Sequence, residues 1–132
     1  TQQRMPTIRN IEVEGTHAEA DGFELVQTMQ SVFEGVMVTR CRHGIHLVQR
    51  NRNVLISHCH IYFNTGVGIY LDDVNLHQIN IASCHISYNR LGGIRIERSE
   101  VRNPPGPGRR KASSKASTQG AGGGGFRNTR RS

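Results

Sequence analysis

The sequence predicts an all-β solenoid of about four coils, each of 22–25 residues, followed by a disordered basic tail. Three observations predict it. The pattern Gly-apolar-x-apolar occurs four times, as Gly22-Phe23-Glu24-Leu25, Gly44-Ile45-His46-Leu47, Gly68-Ile69-Tyr70-Leu71 and Gly93-Ile94-Arg95-Ile96, with the glycines 22, 24 and 25 residues apart. The run Val54 to Asn64 aligns with Ile79 to Asn89, each matched pair 25 apart. Within each unit apolar and polar residues alternate, the period of a strand.

Each coil is expected to carry three short strands, exemplified by residues 69–71, 54–56 and 59–61. None is long enough to be stable alone. Coil upon coil, at the ~4.8 Å strand spacing, they form parallel in-register sheets in which each inward residue meets its own counterpart. Ile69 then stacks between Ile45 and Ile94, Leu71 between Leu47 and Ile96, Cys59 on Cys84 and Ile61 on Ile86. Asn64 and Asn89 fall at a bend, where a buried amide is expected to donate to the next coil's carbonyl. The glycines before the first strands are expected to relieve tight turns by adopting positive φ.

Around this region, 22–103, lie two weaker stretches. Residues 1–21 include an alternating run, Ile8 to Gly15, read as a partial or capping coil. Residues 104–132 open with Pro104-Pro105-Gly106-Pro107-Gly108, which breaks any strand, and continue in Gly, Ser, Lys and Arg, the composition of a disordered tail. That tail leaves the last coil without an obvious cap, so self-association through uncapped ends is expected.

The net charge of +7 belongs to the tail. Residues 109–132 hold seven of the 17 basic residues and no acidic one, which leaves ten basic against ten acidic in the rest. Arg109-Arg110-Lys111-Ala112-Ser113 has the form of a kinase site or a nucleic-acid contact, but Phe126 is the only aromatic nearby. Base stacking has no support, and nucleic acid is not an expected partner. No run approaches eighteen apolar residues, which excludes a membrane-spanning helix. The opening Thr1-Gln2-Gln3-Arg4 lacks the apolar core of a signal peptide and assigns no compartment. Three cysteines, Cys41, Cys59 and Cys84, cannot all pair within the chain. Buried, they act as small hydrophobes.

The pattern G-I-x-L followed by I-x-I-x-x-C-x-I resembles the right-handed parallel β-helix repeat of pectate-lyase-like proteins, alginate epimerases and phage tailspikes. The resemblance covers about residues 22–103. Two departures stand out: Cys41 occupies the place of Asn64 and Asn89, and there are fewer coils than such enzymes usually carry, as expected of a fragment. The resemblance implies polysaccharide handling on an outward face, and an extracellular setting rests on it alone.

On the first strand of each coil the outward positions form two columns, Glu24-His46-Tyr70-Arg95 and Val26-Val48-Asp72-Glu97. His46, Tyr70, Asp72, Arg95 and Glu97 are therefore the candidate catalytic residues. Glycoside hydrolysis would use Asp72 and Glu97 as its two carboxyl groups. Elimination from a uronate would use Arg95, or a Ca²⁺ ion held by Asp72, Asp73 and Glu97, to neutralise the sugar carboxylate, with His46 or Tyr70 taking the proton. The competing view of these columns is an ordinary solvated sheet face. Asp72-Asp73 also resembles the paired aspartates of polygalacturonase-like members, but their other motifs are missing and the assignment is not carried over. A second group, His58, His60 and His85, includes two stacked outward histidines spaced for Zn²⁺, against the plainer reading of exposed imidazoles.

The expected function is thus a carbohydrate-active protein working on acidic polysaccharide by lyase, epimerase or hydrolase chemistry. The alternatives are a non-catalytic glycan-binding or structural solenoid of the tailspike kind, and a protein whose basic tail binds anionic polymers. Fold alone does not choose among them.

Overall fold

The computed structural model describes residues 3–101 and 117–119. The chain winds as a parallel β-solenoid whose three main sheets repeat once per coil. The first sheet stacks Phe23–Val26, Ile45–Val48, Val67–Asp72 and Gly92–Glu97. The second stacks Thr7–Arg9, Val32–Glu34, Val54–Ser57 and Ile79–Ala82, and the third Glu12–Glu14, Met37–Thr39, His60–Tyr62 and His85–Ser87. Every pairing is parallel, and the registers match the repeat: Ile69 pairs with Ile45 and Ile94, Leu71 with Leu47 and Ile96, and Ile61 with Ile86. Residues 1–21 contribute Thr7–Arg9 and Glu12–Glu14 to the second and third sheets.

The core is the stack of inward side chains. Ile45, Leu47, Ile56, Ile61, Ile69 and Leu71 are fully buried, as is Phe33, which meets Phe23 edge-on at 5.2 Å. Cys41, Cys59 and Cys84 are buried and unpaired by disulfide. Burial fades at the last coil, where Ile94 is only partly covered and Ile96 is 39% exposed, because an end coil has a neighbour on one side only.

Two expectations about the corners are corrected. The repeat glycines do not carry positive φ. Among the described glycines only Gly35 and Gly92 do, whereas thirteen non-glycine residues adopt φ between 48° and 63°. These stack in columns immediately after the strands: Gln27, Gln49, Asp73 and Arg98 follow the first sheet, and Arg40, Phe63 and Tyr88 follow the third. The left-handed conformation is held by hydrogen bonds between coils, such as Asp73 N–H to Glu97 O at 3.0 Å and Arg40 N–H to Phe63 O at 3.1 Å. Gly22, Gly44 and Gly68 are glycine for want of space: a Cβ would lie 2.6, 2.5 and 2.6 Å from the carbonyl oxygen of the counterpart glycine one coil on.

The second correction concerns the asparagines, which serve the preceding coil. Asn64 Nδ2 donates to Val38 O at 3.3 Å and to Asn89 Oδ1 at 2.8 Å, while Asn64 Oδ1 accepts from Cys41 N at 2.9 Å. Asn89 Nδ2 donates to Ile61 O at 3.0 Å. Asn51, at a different corner, binds Leu25 O, Val48 O and Thr28 in the same manner.

The sequence also predicts no strand beyond 103, yet Ser117–Gln119 runs parallel to Ile79–Ala82, with Ser117 opposite Asn80. The rest of the predicted tail lies outside the described residues.

Candidate functional site

The first sheet brings His46, Tyr70 and Arg95 into one outward column, with Val48, Asp72 and Glu97 beside it. An outward position predicts solvent exposure, but the His46 side chain is only 10% exposed. Tyr70 stacks flat on it, ring centroids 4.9 Å apart and 5° from parallel. His43 packs edge-on against His46 at 5.1 Å and tilted against Tyr70 at 4.9 Å. The His43 ring is held in turn by the Val67 N–H, which donates to its Nδ1 at 2.9 Å. Gly66 leaves room for that ring, since a Cβ there would lie 2.5 Å from His43 Nδ1. Burial pushes the His43 pKa below the usual imidazole range, consistent with a neutral ring whose Nδ1 is an acceptor.

Asp21 organises the other side of His46. Its Oδ2 lies 2.8 Å from His46 Nδ1, its Oδ1 accepts from the His43 N–H at 3.2 Å, and Arg42 grips both oxygens as a fork at 2.8 and 2.9 Å. Burial would raise the Asp21 carboxyl, but the hydrogen bonds from Arg42, His46 and His43 and the Arg42 charge outweigh it and hold its pKa at about 2. Asp21 is therefore ionised and can only accept. The proton of a neutral His46 sits on Nδ1, and Nε2 carries the lone pair. Among the described residues Nε2 is buried without a hydrogen-bond partner, with Asp72 Oδ2 at 3.7 Å.

The remaining groups are tied to one another. Tyr70 O–H donates to Glu97 Oε2 at 2.9 Å. Burial, that hydrogen bond and the charges of Asp72 and Glu97 push the phenol pKa up. Asp72 pairs with Arg98, and Glu97 lies 3.6 Å from Arg95 and 4.0 Å from Arg98. Arg98 is exposed and was not singled out by the sequence.

The structure thus gathers His46, Tyr70, Asp72, Arg95 and Glu97 in one patch. It does not bring Asp73 to them: Asp73 is exposed at the left-handed corner after the strand. Asp72 and Glu97 each face an arginine. Among the described residues, ligand atoms converge within 4.8 Å at Asp21, Glu24 and His46 instead, although the Arg42 fork occupies Asp21 there. Sequence reasoning missed Asp21, His43 and Arg42. One signal was available: the position before each repeat glycine reads Asp21, His43, Val67, Gly92, polar in the first two coils only.

Compared with known proteins, residues 1–103 match the family model for the right-handed beta helix region. No curated protein and no solved structure matches the chain.

Proposed function

Because the chain belongs to the right-handed β-helix family, we propose that its first sheet acts on an acidic polysaccharide by removing the proton next to a uronate carboxylate, as a lyase or an epimerase does. The observation that carries this reading is His46: its Nδ1 is committed to Asp21, and its Nε2 is buried with no hydrogen-bond partner among the described residues. The base takes the proton from the sugar carbon bearing the carboxylate, and the electron pair moves into the carboxylate, whose charge Arg95 or Arg98 offsets. Elimination follows when that pair expels the neighbouring glycosidic oxygen, which takes its proton from Tyr70, kept protonated by its raised pKa. Return of a proton on the opposite face gives epimerisation. Asp72 lies across Nε2, so the sugar enters as its carboxylate takes Arg98 from Asp72 and lets that side chain swing aside.

Hydrolysis has less support. It needs one carboxyl group held protonated as the acid, whereas Asp72 and Glu97 both face arginine. A non-catalytic glycan-binding reading is favoured by a separate observation. Phe63 and Tyr88 project from consecutive corners, 59% and 79% exposed, with rings 5.4 Å apart and 31° from parallel, flat apolar faces suited to sugar rings.

The test is turnover of polygalacturonate and alginate, with and without Ca²⁺. Elimination is read from the ultraviolet absorbance of the unsaturated product and epimerisation from deuterium uptake out of D₂O. The expected result is activity that His46→Ala abolishes. Absence of both signals, with glycan binding that Phe63→Ala and Tyr88→Ala remove, would establish the binding reading instead.

A further inference from the structure

We propose that the outward column of the third sheet is a transition-metal site, with His60 and His85 as imidazole ligands of one ion and the Met37 thioether as a third donor. Register places Glu12, Met37, His60 and His85 at successive positions of that column, one per coil. The His60 and His85 rings stack face to face, centroids 4.7 Å apart and 20° from parallel. Both residues are exposed, and among the described residues neither imidazole makes a hydrogen bond. The backbone alone thus presents two unclaimed ring edges side by side, held by a ladder rather than by flexible loops.

The spacing suits a shared ion. A metal–nitrogen bond is about 2.0–2.1 Å, so two nitrogens on one ion stand no more than about 4.2 Å apart. Exposed rings whose centres are 4.7 Å apart meet that by tilting their edges together. Met37, paired directly with His60, is oriented by Tyr62, whose O–H donates to Met37 Sδ at 3.3 Å. Glu12 follows on the next coil, paired with Met37. Imidazole accepts several late first-row ions, but a thioether beside it selects copper, which also heads the affinity order for nitrogen sites among divalent ions. The column lies on a different sheet from His46, so the site is independent of the proposed uronate chemistry.

The experiment is titration of the full chain with Cu(II), and with Cu(I) under ascorbate, by calorimetry and electron paramagnetic resonance. One Cu(II) ion per chain is expected, with hyperfine coupling to two imidazole nitrogens. His60→Ala and His85→Ala should each weaken binding by at least about tenfold and remove one nitrogen coupling, while His58→Ala and His77→Ala leave both unchanged. Met37→Leu should weaken Cu(I) binding more than Cu(II) binding. Circular dichroism of the variants should match the parent, since the substituted side chains add little to the core. The proposal is overturned if His60→Ala and His85→Ala bind copper as the parent does, or if His58→Ala weakens binding as much as they do. Unchanged Cu(I) affinity in Met37→Leu removes the thioether from the ligand set.

Discussion

Asp21 and His46 stand 25 residues apart on different coils, yet Asp21 Oδ2 lies 2.8 Å from His46 Nδ1. This contact sets the chemistry of the patch, because it decides which imidazole nitrogen carries the lone pair. It also joins the corner before one strand to the middle of the next coil's strand, a diagonal relationship outside the columns of the repeat.

Asp21→Asn tests the consequence. The amide retains the shape but can donate as well as accept, so His46 is no longer held with its proton on Nδ1. Turnover of a uronate substrate should fall by about 10²–10⁴-fold with little change in substrate binding. Steady-state kinetics separates the two effects, and an equal loss in kcat and in binding would mean that Asp21 shapes the site rather than orients the base.

Stability should decline in acid in two stages. Burial holds the His43 pKa below its ordinary value, so the unfolded chain binds this proton first. The contribution of His43 is complete above its unfolded pKa, about 6.5, and declines as pH falls below it toward the lower folded value. Asp21 titrates from 3.8 in the unfolded chain to about 2 in the fold. Its contribution, on the order of 2 kcal/mol, is present above 3.8 and is lost as pH falls toward 2. Chemical denaturation at pH 7.5, 5.5 and 3 should show both stages, and Asp21→Asn should flatten the more acidic one.

The asparagine ladder should matter more inside the stack than at its end. Asn64→Ala strands the Cys41 N–H and removes a hydrogen bond from the Val38 carbonyl, and the unpaired buried N–H costs about 1–3 kcal/mol. Asn89→Ala should cost less, because Asn89 lies in the partly exposed last coil. Urea midpoints compare the two, and hydrogen exchange should speed at the Cys41 amide in Asn64→Ala alone.

Glycine should be required by space and not by backbone angle. Gly68→Ala places a Cβ 2.6 Å from Gly93 O and 2.7 Å from Asn89 Nδ2, an overpacking that costs about 1–3 kcal/mol. Ser83→Gly, at a corner where φ is 53°, should be neutral or slightly stabilising, since glycine occupies that region without strain. Equal destabilisation by both changes in thermal melts would contradict this account.

The solenoid, its coil period, the inward stacks of Ile45, Ile69 and Ile94, and the outward columns that carry His46, Tyr70, Asp72, Arg95 and Glu97 are all legible in the sequence. They are legible because a parallel in-register ladder turns a constant sequence spacing into spatial adjacency. What happens between columns is settled once the coils are stacked. The Asp21–His46 contact, the burial of an outward histidine beneath Tyr70 and His43, and the pairing of Asp72 with Arg98 depend on side-chain rotamers at the corners, where the first coils depart from a uniform period. The repeat glycines show the same division: their positions are legible as a motif, but their cause, a carbonyl oxygen of the next coil some 2.5 Å from where a Cβ would stand, exists only once the coils are stacked.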